Sequence, residues 1–121
     1  TSVDAALKAI DAFDAGLWII LGGKDKNSDY TVMREALGRK ARMALLIGAA
    51  APKIESQLRG AVPLLLCGTL DAAVAQAARE AKAGETVLLS PACSSFDQFQ
   101  SYEHRGRFFK ELVNGLTEGK G

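Results

Sequence analysis

Two stretches of this 121-residue sequence carry the residue types from which a site is built. Leu88 to Phe109, LLSPACSSFDQFQSYEHRGRFF, sets hydroxyls and a thiol (Ser90, Cys93, Ser94, Ser95) among aromatics (Phe96, Phe99, Tyr102). Loops that combine small polar groups with large apolar anchors tend to bind ligands; the competing reading is a strand-to-helix connection whose phenylalanines only fill the core. The second stretch, Leu21 to Tyr30, LGGKDKNSDY, places Lys26 in a charged turn after two glycines. An ammonium and a hydroxyl delivered to one place would hold an anion, with the charge-assisted hydrogen bond as the stronger contribution. A solvated turn lysine is the plainer reading of the same residue.

Other chemistries fit the spacing poorly. Cys93 invites a nucleophile reading, but the single histidine, His104, is not set beside it by local sequence, so an inert thiol is expected. Cys67 and Cys93, with no further cysteine and no second histidine, make neither a disulfide framework nor a zinc site, and both are expected as reduced thiols. Gly22 to Ser28 lacks the spacing of a phosphate-cradling P-loop, and no G-x-G-x-x-G occurs. Gly48 is read as a packing glycine rather than as part of a dinucleotide site.

The elements that must position these stretches alternate. Val3, Ala6, Leu7, Ile10 and Phe13 fall at helical spacing, and Leu17–Leu21 is a continuous apolar run of strand length, which predicts a strand covered on both faces. A helix with Val32, Met33, Ala36 and Leu37 inward follows, then a strand over Met43–Ile47 and a helix through Ile54 and Leu58 opened by Pro52. Val62–Leu66 is the next strand. Leu70, Ala73, Val74, Ala77, Ala78 and Ala81 mark one face of a helix with Thr69 as N-cap and Gly84 just past its end. Val87–Leu89 is the last strand, Pro91 ends it for want of an amide, and Phe108 to Leu116 suggests a C-terminal helix. The reading is a single α/β Rossmann-like domain, a mostly parallel sheet with helices on both faces and right-handed connections. In such sheets ligands sit beyond the carboxyl ends of the strands. Both singled-out stretches leave strands at that end, so if their strands are close, Lys26 and Ser95 converge.

Composition narrows the partners. Fifteen Lys and Arg against 14 Asp and Glu give a formal charge of +1, with no basic field to draw nucleic acid or a membrane surface. No apolar run approaches the roughly 20 residues that span a bilayer, and no leader is seen, so a soluble cytoplasmic monomer is expected. A phospho-acceptor receiver has this length and alternation but needs a carboxylate cluster at its strand ends. Here these ends read Gly22-Gly23, Gly48-Ala49 and Cys67-Gly68. A stand-alone small-molecule-binding Rossmann module is the alternative that stays open.

A resemblance goes further. Ser90-Pro-Ala-Cys-Ser-Ser-Phe-Asp-Gln-Phe99 with Tyr102-Glu-His-Arg-Gly106 resembles the C-terminal signature of the UDP-N-acetylmuramoyl-L-alanine:D-glutamate ligases, a Mur ligase family. Leu21 to Tyr30 is a second match, and Thr1-Ser2-Val3 is similar to the end of the family's Lys-Ala-Thr-Asn segment. The resemblance implies a Mur ligase C-terminal domain over residues 1–121, with the N-terminal UDP-binding and central ATPase domains outside this chain. It implies a ligase that uses ATP and Mg²⁺ to activate the carboxylate of UDP-N-acetylmuramoyl-L-alanine for attack by the D-glutamate amine, in peptidoglycan synthesis. ATP and Mg²⁺ belong mainly to the central domain, so the domain alone is expected to be inactive and to hold no catalytic residue, metal or cofactor of its own. Its implied share is to close over that domain and bind D-glutamate. By position, Thr1 and Lys26 match residues that hold one carboxylate, and Ser95 and Tyr102 match those that hold the other. Tyr102 stands where the family often has Phe, and Ser2 where Asn is usual.

If Ser95 serves a ligand rather than the core, Ser95→Ala leaves the melting temperature nearly unchanged, because an exposed hydroxyl adds little stability. A large fall in a thermal melt would make Ser95 structural.

Overall fold

The computed structural model describes residues 2–82, 84–90 and 92. In chain order these form helix α1 (Val3–Asp11), strand β1 (Leu17–Gly22), a 3₁₀ turn (Tyr30–Met33) running into α2 (Arg34–Lys40), and β2 (Ala41–Ile47). They continue with α3 (Ala51–Leu58), β3 (Leu64–Gly68), α4 (Leu70–Glu80) and β4 (Thr86–Leu89). The four strands make one sheet in the order β3-β2-β1-β4, and every pairing is parallel.

The apolar run of β1 is explained by its surroundings. Leu17, Ile19 and Leu21 face a core made with Ala6 and Ile10 of α1, Leu37 of α2, and Ile54 and Leu58 of α3. Trp18 and Ile20 face the other way, onto Leu70, Ala73, Val74 and Ala77 of α4. Both faces are therefore covered, and a period-2 polar alternation would bury charge. From β1 to β3 the chain steps one way across the sheet with α2 and α3 on one face. From β3 to β4 it returns past β2 and β1 with α4 on the opposite face. That exchange of direction and face together is what right-handed crossovers demand.

Local chemistry starts and stops the helices where propensity says it should. Ser2 Oγ accepts from the Ala5 amide at 3.1 Å, and Thr69 Oγ1 from the Ala72 amide at 3.4 Å, each satisfying an orphan donor of a first helical turn. At the amino end of the sheet, Glu85 gathers three donors. Trp18 Nε1 lies at 3.0 Å, the Lys82 amide at 2.7 Å and Arg42 Nε at 2.9 Å, which ties β1, β2 and the approach to β4 together. The Lys82 amide, then the indole, hold the Glu85 carboxyl below its ordinary range.

Three expectations are corrected. The third strand is Leu64–Gly68 rather than Val62–Leu66. Pro63 has no amide for the ladder, though its carbonyl accepts from Ala44 N at 2.9 Å, and Val62 is buried in the core beneath α3 instead. Val32 is 53% exposed, not inward. It lies in the 3₁₀ turn, where three residues per turn bring Tyr30 and Met33 to the same face and rotate Val32 away. Gly84, with φ +88°, turns the chain into β4; α4 itself stops at Glu80, capped at Ala81. The predicted C-terminal helix lies outside the described residues.

Gly22 is the tightest point of the sheet. With φ +131°, it lies so near β2 that a Cβ would fall inside contact distance of the Ile47 carbonyl oxygen and 2.9 Å from its carbon. Backbone cannot yield there as a flexible side-chain tip would. Gly22→Ala is expected to destabilise the fold by more than about 2 kcal/mol in chemical denaturation, and an unchanged midpoint would mean that β1 and β2 are free to separate.

Candidate functional site

The strand order fixes where a ligand crevice is to be sought. β2 and β3 lie on one side of β1, and β4 lies on the other, so the direction of winding reverses between β1 and β4. Beyond the carboxyl ends of strands at such a switch point, adjacent loops diverge and leave an opening. The loop from Gly23 to Asp29 leaves β1 there, and the chain from Ser90 leaves β4 beside it. Ser90 N donates to the Ile20 carbonyl of β1 at 3.3 Å, which extends the pairing of β4 with β1 to this point. Ala92 then adopts φ +63° and is buried in the core that includes α1 and α3, so the chain after β4 turns sharply inward at its start.

The first loop is built in two stages. At its base, Gly23 N donates to the Ile47 carbonyl at 3.1 Å, and the Gly23 carbonyl accepts from Ala50 N at 2.9 Å, which fastens it to the turn between β2 and α3. Further out, Asp25 organises the charged segment. Its Oδ1 accepts from the Ser28 amide at 3.3 Å and from the Tyr30 hydroxyl at 2.6 Å. Its Oδ2 accepts from Lys53 Nζ at 2.8 Å. Lys53 also lies 5.5 Å from the centroid of the Tyr30 ring, and Tyr30 N donates to Gln57 Oε1 at 2.7 Å. Lys26 is exposed within the turn that Asp25 closes, followed by Asn27 at φ +60°.

The comparisons with known proteins decide the family. The profile described as "Mur ligase, glutamate ligase domain" matches residues 1–93. The chain belongs to the Mur ligase glutamate ligase domain family. It is 66% identical over 116 residues to a UDP-N-acetylmuramoylalanine--D-glutamate ligase of Solibacter usitatus, covering 96% of this chain and 26% of that protein. It is 57% identical over 113 residues to the ligase of the same name in Acidobacterium capsulatum, covering 93% and 24%. A third, from Koribacter versatilis, is 53% identical over 118 residues, covering 98% and 26%. The chain thus spans about a quarter of the length of these relatives.

Of the four glutamate-ligase-domain positions expected to hold the amino acid, Lys26 stands in the first loop at the switch point. Thr1, Ser95 and Tyr102 lie outside the described residues, as do Cys93 and His104. The condition set for convergence, that the two strands be close, is met, since β1 and β4 are hydrogen-bonded neighbours. Cys67, next to last in β3, is a free thiol that burial pushes up in pKa, in keeping with an inert, reduced side chain. The Asp25, Tyr30 and Lys53 cluster was missed by sequence reasoning. One signal was available: Lys53 falls in the first turn of α3, where the helix dipole disfavours a cation unless an anion faces it.

Among the described residues no three of His, Cys, Asp and Glu converge as metal ligands, and the glycine pair after β1 lacks P-loop spacing. No helix among them is long and apolar enough to cross a membrane.

The Lys53 ammonium, then the Tyr30 hydroxyl, hold the Asp25 carboxyl at about 2, against an ordinary 3.8. A depressed carboxylate pKa stabilises the fold above the unfolded value and loses that contribution as pH falls through the folded one. Acid titration of stability should therefore steepen between pH 3.8 and about 2, and Asp25→Asn should flatten that part of the curve while lowering stability near neutrality. An identical acid limb in the variant would mean that the pair does not form.

Proposed function

We propose that this chain is the D-glutamate-presenting part of a longer ligase that joins D-glutamate to UDP-N-acetylmuramoyl-L-alanine in peptidoglycan synthesis. The observation that carries the reading is the position of Lys26: it stands in a built loop at the β1–β4 switch point, and β4, the strand that precedes Ser95 in the chain, is the hydrogen-bonded neighbour of β1. Membership of the glutamate ligase domain family and the names of the relatives support it.

D-Glutamate carries two carboxylates and one amine, and the amine must be left unencumbered to attack. A site for it needs a cation for charge and neutral donors for direction. In this reading the Lys26 ammonium and the Thr1 hydroxyl hold one carboxylate, and Ser95 with the residue at Tyr102 holds the other. Tyr102 takes the place of a family Phe without loss if its contact is made through the backbone amide. Held at both ends, the amino acid has its amine fixed relative to the acyl carbon that it attacks, which converts an encounter into an oriented approach. ATP and Mg²⁺ are assigned to the rest of the longer protein, over which this domain closes; among the described residues no three of His, Cys, Asp and Glu converge as metal ligands. The chain works in the cytoplasm as part of a monomeric enzyme.

Lys26→Ala in the full-length ligase is expected to lower kcat/KM for D-glutamate about ten- to hundredfold, the equivalent of a charged hydrogen bond of about 1.5–3 kcal/mol. The KM for ATP should move much less, and Lys26→Gln should rescue only in part, because it keeps a donor without the charge. Equal losses toward both substrates would indicate a folding or closure defect, and normal D-glutamate kinetics would remove Lys26 from the site.

A further inference from the structure

We propose that Asp25 is a positioning residue: tied to Lys53 on α3, to the Tyr30 hydroxyl and to the Ser28 amide, its carboxylate fixes the turn that carries Lys26 and so sets where that ammonium meets D-glutamate. The inference rests on the reading of Lys26 given above, and goes beyond it by naming what holds Lys26 in place.

The turn needs holding. Lys26 and Asn27 lie between Asp25 and Ser28, and the Asp25 Oδ1–Ser28 N bond spans them like a clasp. Asn27 at φ +60° occupies a left-handed conformation that costs most side chains energy and that Asn tolerates best after glycine. A lysine on a mobile turn would lose side-chain and backbone freedom each time it bound a carboxylate, and a preformed turn removes the backbone share of that cost.

The anchors belong to the packed body of the domain. Tyr30 is fully buried, so its hydroxyl is a fixed donor, and its own amide is held by Gln57 of α3. Lys53 extends from the first turn of α3, a helix locked to the sheet by Ile54 and Leu58, both fully buried. A cation at that end of a helix is locally unfavourable. Asp25 supplies the opposing charge from across the loop, at side-chain exposures of 35% for Lys53 and 24% for Asp25, where water screens the pair only in part. The brace thus ties the loop bearing Lys26 to the body of the domain through two donors, the Lys53 ammonium and the Tyr30 hydroxyl, while the Ser28 amide closes the loop on itself.

A brace of this kind is distinguished from mere stabilisation by how it couples to Lys26. In the full-length ligase, Asp25→Asn, Tyr30→Phe and Lys53→Met are expected to raise the KM for D-glutamate, Asp25→Asn by about tenfold, with the KM for ATP unchanged. Lys53→Arg, which keeps the ion pair, is expected to restore most of the affinity. In a Lys26→Ala background Asp25→Asn should add little, because the residue through which it acts is gone. Losses that multiply in the double variant, or a normal D-glutamate KM in both Asp25→Asn and Tyr30→Phe, would overturn the brace. If Asp25→Asn fails to fold, Tyr30→Phe and Lys53→Met carry the same cycle with Lys26→Ala. A Lys26→Ala enzyme with normal D-glutamate kinetics would remove the reading of Lys26 and the brace together; an impaired Lys26→Ala beside unimpaired brace variants would remove the brace alone.

Discussion

Burial of β1 on both faces and pairing along both edges is the constraint on which the domain depends. Its odd residues fill one core, its even residues the other, and its two neighbours are β2 and β4. Because β4 pairs with β1 across 69 residues, Leu17 beside Thr86, the switch point beyond their carboxyl ends depends on the α4 crossover. Local structure cannot create it. The site is a property of topology, which is why so small a set of polar residues can define it.

Two carboxylates mark opposite ends of the sheet and illustrate two uses of the same chemistry. Glu85 at the amino end collects an indole, an amide and a guanidinium from β1, the turn before β4 and β2. It staples strands and faces no loop of the site. Asp25 at the carboxyl end collects an ammonium, a phenol and an amide from α3, the 3₁₀ turn and its own loop. Its partners restrain a segment that would otherwise follow no regular ladder.

Much of the architecture was legible in the sequence because burial writes a period. The unbroken run of β1 declared a strand with two covered faces, and the spacing from Leu70 to Ala77 declared α4, with Thr69 as its cap. The start of β3 was misplaced because Val62 is apolar for a reason unrelated to the ladder. Val32 was misplaced because a 3₁₀ turn shifts the phase of the helix it precedes. Strand order left no local trace, since parallel strands read alike in any order, yet it decides that β1 and β4 are neighbours. The pair of Asp25 and Lys53 was nearly as silent: 28 residues separate them, and only the place of Lys53 in the first turn of α3 hinted at a facing anion. Lys26 was legible through the family's loop motif rather than through any physical signal of its own.

The glycine-rich bend after β1 has a last consequence. In many α/β folds such bends present bare peptide N–H groups to a phosphate. Here the donors are already committed: Gly23 N to Ile47, Gly48 N to Gly68, Ala50 N to Gly23 and Ala51 N to Gly48. These four peptide groups tie the turns after β1, β2 and β3 to one another. An anion arriving at this bend finds those four amides occupied, so there its charge is answered by side chains that reach over them. Glycine serves here as a hinge plate for the masonry of the sheet, and recognition is displaced outward, onto residues that can be exchanged without disturbing the seam beneath.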